Sequence, residues 1–248
     1  MAKTARKKLK KTSWLRKIGR FFLYLWLGTT LYAVLLRWVN PPVTLTQLGA
    51  VFGGYGLQRD YVAYEEITAA VKLAAIASED QLFPDHSGFD WASLEKSLQA
   101  KPSKKNKKRG AGASTISQQV AKNVFLWQGS GILKYVRKIP EAYFTVVIEL
   151  CWSKRRILDV YLNCIEMGPG IFGIEAAAQA YYKKPASKLT KQEAASIIAC
   201  LPNPKKYTVV PKSRFVTWKT GHILRQMNNI AGDEDVQALV NKPSAALK

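Results

Sequence analysis

Apolar residues follow two different patterns along this chain. The first is an uncharged block from Phe21 to Leu36, FFLYLWLGTTLYAVLL. With Ile18, Gly19, Trp38 and Val39 it reaches the roughly 20 residues a helix needs to cross a bilayer core. Arg20 and Arg37 stand near its ends, where long cationic side chains snorkel. Trp14 and Trp38 flank it in the manner of interfacial aromatics. A cleaved signal peptide would have a shorter apolar core and a small-residue cleavage site; Arg37-Trp38-Val39-Asn40-Pro41-Pro42 offers none. The pattern predicts a transmembrane helix over 18–39, stopped by the two prolines.

The second pattern begins near Glu65. ITAAVKLAAIASED, WASLEKSLQA, EAYFTVVIELCW, RRILDVYLNCIE, GIEAAAQAYY and TKQEAASIIACL each place apolar residues three and four apart, the spacing of an amphipathic helix. Strand signals are few, and no repeat is visible. The predicted fold is mainly α-helical. Between the two patterns, Gly49, Gly53, Gly54 and Gly56 suggest an irregular connector. Residues 101–112, KPSKKNKKRGAG, read as a solvated basic loop, Gly168-Pro169-Gly170 as a turn between helices, and the chain after about Asn228 as a fraying tail. The organisation is a basic tail over 1–17, the transmembrane helix over 18–39, a linker over 40–63, a folded domain over 64–215 and a C-terminal helical extension or tail over 216–248.

Composition adds charge to this picture. The 248 residues carry a formal net charge of +21, and 48% are hydrophobic, which excludes a disordered chain. Nine cations and no anion lie in residues 1–20. The positive-inside rule places that tail in the cytoplasm and everything after about residue 40 outside the inner membrane. A basic surface attracts polyanions: nucleic acid, anionic headgroups or phosphorylated substrates. No nucleic-acid motif is present. Cys151, Cys164 and Cys200 have no metal-ligand spacing and read as buried thiols.

Three segments hold candidate chemistry. Glu79 and Asp80 close a predicted helix before Phe83, Pro84 and His86. Such a pair is either a solvated helix end or a general base against an apolar wall. Ser114 or Thr115 can cap a helix that carries Gln118, Gln119, Lys122 and Asn123 in its first turns, a polar start suited to phosphate or sugar. Arg137 and Lys138 precede Pro140 and Glu141, where a salt bridge is the usual outcome of such a cluster.

Together these segments resemble the monofunctional biosynthetic peptidoglycan glycosyltransferases, whose domain also opens the bifunctional penicillin-binding proteins. The resemblance covers roughly residues 60–215. It rests on E-D-x-x-F-x-x-H-x-G-x-D at Glu79–Asp90, G-A-S-T-I-x-Q-Q-x-A-K-N at Gly112–Asn123, R-K-x-x-E at Arg137–Glu141, I-L-D-V-Y-L-N at Ile157–Asn163, G-x-G-x-F-G-x-E-A-A-A at Gly168–Ala178 and L-P-N-P at Leu201–Pro204.

The resemblance implies a lysozyme-like α-helical lobe with a smaller membrane-apposed lobe. It implies an inverting transfer of a glycan from undecaprenyl pyrophosphate to the 4-hydroxyl of lipid II, forming β-1,4 links for cell-wall biogenesis. Glu79 would then take the hydroxyl proton, and Glu141 would sit by the pyrophosphate, orienting cations or helping to hold a divalent ion such as Mg2+ or Mn2+. Lys122, Arg137 and Lys138 would stabilise the leaving group. Ser114, Gln118, Gln119 and Asn123 would hold sugar and phosphate oxygens. Asp80 and Phe83 fall among the substrate contacts, with Asp80 and His86 expected to fix the loop geometry. Relatives often carry an Arg in a stretch like D/G-R-S-W-x-R-K. Here Gln128–Lys138 is longer and lacks it, leaving Lys134 as the nearest substitute, without the guanidinium fork. Val124–Trp127 and Val51–Phe52 are apolar patches for either the membrane interface or the core. The implied partners are the two lipid-linked glycans, membrane lipid and cell-wall synthesis proteins.

Rival readings are weaker. Ser93-Leu94-Glu95-Lys96, Tyr161-Leu162-Asn163 and Lys219-Thr220-Gly221 follow the order of transpeptidase motifs, but Lys219–Gly221 lacks the alternation of a core strand. A lytic enzyme acting on finished glycan would leave the cationic motifs unexplained.

Overall fold

The computed structural model describes residues 2–99, 114–129 and 131–241, without the side chains of residues 2–13 and 96–98. The predicted basic loop, Gly112, Ala113, Ser130 and the last seven residues lie outside the described residues. The chain divides into two units, Met1–Asn40 and Pro41–Lys248.

The first unit is helix α1 (Ala2–Leu35), of which Trp14–Leu35 is long and apolar enough to cross a membrane. This stretch begins and ends about four residues before the expected span, and Arg37 and Trp38 fall in a turn beyond it. Every side chain from Phe21 to Leu27 is exposed. A stretch this apolar on every side is one that can cross a membrane by length and composition. Thr29 and Thr30 bond back to the Leu25 and Trp26 carbonyls, which satisfies their hydroxyls within the helix as a hydrocarbon environment demands.

The second unit starts earlier than the expected 64. Helix α2 (Leu45–Phe52) lies inside the presumed linker, fastened by a reciprocal cap between Thr44 and Gln47. Strand β1 (Gln58–Arg59) follows. Of the glycines that suggested an irregular connector, Gly49 lies within α2, and Gly53, Gly54 and Gly56 follow in the turn and the segment beyond it. The predicted helices then appear in order: α3 (Ala69–Glu79), α4 (Trp91–Gln99) and α5 (Ile116–Phe125), then, after the short α6 (Leu133–Val136), α7 (Lys138–Cys151) and α8 (Lys154–Cys164). Strands β2 (Glu166–Gly168) and β3 (Ile171–Phe172) precede α9 (Ile174–Tyr182), α10 (Lys191–Ile198), α11 (Arg214–Ile230) and α12 (Glu234–Asn241).

The core is built around α3, whose residues Val71–Ala77 are all buried. Its alanines let α10, α11 and α12 approach closely. A second layer places α5 against α7 and α8. The Gly168–Gly170 turn joins two strands, not two helices: β2 and β3 pair antiparallel, and β1 adds to β3 in parallel. Gly173 leads into α9 at φ 86, and a Cβ there would stand 2.6 Å from the Asn163 carbonyl, so only glycine fits. Beyond Asn228 the chain does not fray within the described residues. Val236 and Val240 of α12 are buried, and Tyr64 donates to the Leu239 carbonyl at 2.8 Å.

Tyr64 also lies between two cations. Lys72 Nζ stands 4.0 Å from its ring centroid and the Arg155 guanidinium 4.3 Å, while Glu65 pairs with Arg155. Burial, then Arg155, pulls the Lys72 amino group down to about 8. Between about 8 and the ordinary lysine value of 10.5 the unfolded chain therefore binds more protons than the folded one, so stability rises with pH there. Lys72→Met is expected to flatten that rise, as read from denaturant unfolding at pH 7.5 and 10.

Candidate active site

Glu79 ends α3 and Asp80 caps it. Two different environments follow from that one-residue step. Asp80 turns inward and is buried. His86 Nε2 lies 2.9 and 3.0 Å from its two carboxylate oxygens, and the Ile116 amide donates to Oδ2 at 2.9 Å. His86 Nδ1 accepts from the Gly88 amide at 3.1 Å, so the proton rests on Nε2 and points at Asp80. Asp80 thus ties the end of α3 to the start of α5 and to the loop between them. Thr115 caps α5 reciprocally with Gln118 and donates to the Gly88 carbonyl at 2.7 Å. Truncating Asp80 to Ala would leave the Ile116 and His86 N–H groups without their acceptor. We expect a loss of about 3 kcal/mol, seen as a melting point lower by roughly 6–12 °C.

Glu79 remains half-buried at a cleft of about 430 Å³ lined also by Ser78, Asp90, Ser93 and Ser114. Ser78 Oγ donates to Oε1 at 3.0 Å and Gln119 Nε2 to Oε2 at 3.1 Å. Gln119 lines a second cleft of about 300 Å³ with Lys122, Asn123, Gln128, Glu166, Asn203 and Lys205. The Glu79–Gln119 bond therefore joins the walls of two clefts.

Lys122 lies one turn beyond Gln118 on α5. Burial lowers its amino group from the usual lysine range, and Arg137 and Lys138 act in the same direction. Glu141 and Glu79 oppose them. One cation is thus within electrostatic reach of both carboxylates. Glu141, in the first turn of α7, is buried with Lys138 Nζ 2.5 Å from Oε1. Arg137 Nε is 3.4 Å from Oε2, close enough for charge pairing but not aligned for a hydrogen bond. Lys138 Nζ also lies 3.5 Å from Ser114 Oγ, which brings the third segment to the second.

Across this site, the transglycosylase family model matches residues 46–228. A biosynthetic peptidoglycan transglycosylase of Pseudomonas syringae pv. tomato is 42% identical over 233 residues, covering 91% of this chain and 95% of the relative. Proteins of the same name from Escherichia coli and Shigella boydii are 51% identical over 183 residues, 74% of each chain. The chain belongs to the transglycosylase family.

Some predicted contacts of this transglycosylase are placed differently. Phe83 is wholly buried, with Lys154 Nζ 4.7 Å from its ring centroid, so it supports the loop from within and offers no surface to a ligand. Arg137 is buried too and donates to the Trp127 carbonyl at 2.7 Å; its charge reaches the cleft as a field. Asn123 donates to the Gln119 carbonyl at 2.9 Å and accepts from Gln128 at 3.2 Å. Its amide holds the second-cleft wall together. Gln118 uses its carbonyl in the cap of α5. Lys134 is exposed on α6, and the described contacts do not carry it to Glu141. Cys164 and Cys200 are buried, whereas Cys151 is half-buried.

The motifs assigned no part in the site to Ser78 beside Glu79, to Tyr161 behind Gln119 or to Lys205 in the second cleft. Lys205 faces Glu166 at 3.8 Å and stands over the Tyr55 ring at 4.1 Å, bringing a cation to the cleft that holds Lys122. Only chain reversal at the hairpin and beyond α10 brings these residues together. The Lys219-Thr220-Gly221 triplet lies within α11, with Thr220 buried and bonded to the Val216 carbonyl, and so does not form the strand that the transpeptidase reading requires. Among the described residues no three His, Cys, Asp or Glu side chains gather to hold a metal. Both oxygens of Glu141 already face cations, so this donor set does not suit a protein-held divalent ion.

Proposed function

We propose that this protein polymerises glycan strands for the cell wall, transferring a lipid-pyrophosphate-linked glycan to the 4-hydroxyl of lipid II with inversion. The observation that carries this reading is a carboxylate and a cation at one cleft: Glu79 and Ser114 line it, and Lys138 Nζ lies 3.5 Å from Ser114 Oγ and pairs with Glu141, while the charges of both carboxylates act on Lys122. A sugar hydroxyl is a poor nucleophile, and Glu79 is the group positioned to take its proton. A departing pyrophosphate gathers negative charge, which Lys122 and Lys138 stabilise at close range. Glycoside hydrolases act with two carboxylates flanking the bond. Here the second carboxylate is bound up with cations, an arrangement suited to an anionic leaving group and not to activating water. Lys205, and not Lys134, supplies the additional positive charge.

Lipid-linked substrates require the site to work at a bilayer surface. Helix α1 anchors the protein, and the cations of its N-terminal part, ahead of the apolar stretch, favour an N-terminus in the cytoplasm and a catalytic unit on the outer side of the membrane. Of the two apolar patches, Val124–Trp127 serves mainly as core: Val124 and Leu126 are buried, and Phe125 stacks on Phe144 at 4.4 Å. Phe52 remains 87% exposed, as do Ile132, Tyr135 and Ile139 at 76–78%, and these are the side chains that meet lipid. The test is to give the full-length protein lipid II in detergent or liposomes and, in parallel, isolated sacculi. Lengthening glycan with release of undecaprenyl pyrophosphate supports the reading. Solubilised sacculi without polymer would replace it with a lytic one.

A further inference from the structure

Tyr161, on α8, is 1% exposed. A buried phenol normally finds a hydrogen-bond partner, and this one's hydroxyl lies 3.4 Å from Gln119 Oε1. The other end of the same amide, Nε2, lies 3.1 Å from Glu79 Oε2. A glutamine amide accepts at its oxygen and donates at its nitrogen. While the phenol donates to Oε1, the NH2 group must face the carboxylate. With the amide reversed, Oε1 would face Glu79 Oε2, acceptor against acceptor. Burial, then the charges of Glu79 and Asp80, holds the Tyr161 hydroxyl well above the usual phenol range. It therefore keeps its proton and its role as donor.

We propose that Tyr161 is a positioning residue that fixes the Gln119 amide and, through it, keeps a hydrogen-bond donor on Glu79. The proposal rests on the reading of Glu79 as the base. Several groups around Glu79 bear on its titration. Ser78 and Asp80 adjoin it in the chain; Lys122 faces it from α5, Tyr161 from α8 and Cys200 from the turn after α10. Helix α11 contributes the uncharged Gln226, bonded to Gln81 at 3.1 Å. Of these, Tyr161 acts through an amide that can turn over, so its effect can be separated from that of a fixed charge.

The experiment is the pH dependence of lipid II polymerisation by full-length wild type, Tyr161→Phe, Gln119→Met and the double variant, with Glu79→Gln as reference. Tyr161→Phe frees the amide. We expect kcat to fall about five- to tenfold, the scale of one hydrogen bond, and KM for lipid II to stay within about twofold. The acidic limb of the kcat profile should move to higher pH, because an ionised carboxylate loses a donor. Gln119→Met should move the limb in the same direction, and adding Tyr161→Phe to it should change nothing more. Tyr161→Phe with a wild-type limb, or with its full effect persisting beside Gln119→Met, overturns the relay while an inactive Glu79→Gln leaves the base reading intact. An active Glu79→Gln overturns both. Should Tyr161→Phe fail to fold, the limb of Gln119→Met decides alone, since an unmoved limb there removes the amide's role.

Discussion

Glu79→Gln is expected to reduce polymerisation by at least about a thousandfold, within the range for removal of a positioned general base. The side chain ends α3, and its two oxygens accept from Ser78 and Gln119. A glutamine fills the same volume and can keep one of those bonds through its oxygen, so the fold and the cleft should survive. What disappears is the capacity to accept a proton from the attacking hydroxyl. Lipid II binding, measured by retention of labelled substrate on the immobilised protein, should stay within a few-fold of wild type. A variant that binds but does not polymerise identifies the chemical step. Turnover near the wild-type rate would show that some other group takes the proton, and Asp80 is a poor substitute because both its oxygens are already occupied by His86 and the Ile116 amide.

The second large effect is expected at Glu141. Its carboxylate is 3% exposed and faces Lys138 and Arg137, the latter 5% exposed. Glu141→Gln removes the anion and leaves a buried guanidinium without its counter-charge, which costs about 3–5 kcal/mol in comparable cases. It also removes the charge that raises the Lys122 amino group against burial and Arg137. Lys122 should then lose its proton at lower pH than in the wild type. We expect kcat/KM to fall about a hundredfold at neutral pH, mainly through KM for the lipid-pyrophosphate donor. The loss should deepen as pH rises, because a neutral Lys122 no longer stabilises the leaving group. A uniform loss of kcat across pH, with KM unchanged, would contradict this role. Lys138→Ala separates the two contributions. Its side chain is half exposed, so it should weaken donor binding with little effect on the melting point.

The helices themselves were legible in the sequence because their signal is local. Apolar spacing marked α3, α4 and α7–α10, and of the two cap candidates, Ser114 and Thr115, the latter caps α5. The ordered motifs also singled out Glu79, Lys122 and Glu141, the residues on which the proposed mechanism rests. Two misreadings share one cause. Helix α2 and helix α12 are short and carry weak patterns, and glycines obscured the first; each is held by a long-range partner or a side-chain cap that spacing does not encode. The hairpin was missed because β2 and β3 total five residues, too few for alternation to appear.

By itself the sequence determined which residues could do chemistry and that a long uncharged stretch, Phe21–Leu36, precedes them. It could not decide which way each side chain turns. Adjacent carboxylates in the chain, Glu79 and Asp80, take opposite roles because α3 ends between them: one opens to a cleft and the other locks two helices. Phe83 and Arg137, equally prominent in the motifs, face inward, whereas Tyr161 and Lys205 reach the site from remote segments. Burial and hydrogen-bond direction are properties of the packed chain, and only the tertiary structure assigns them.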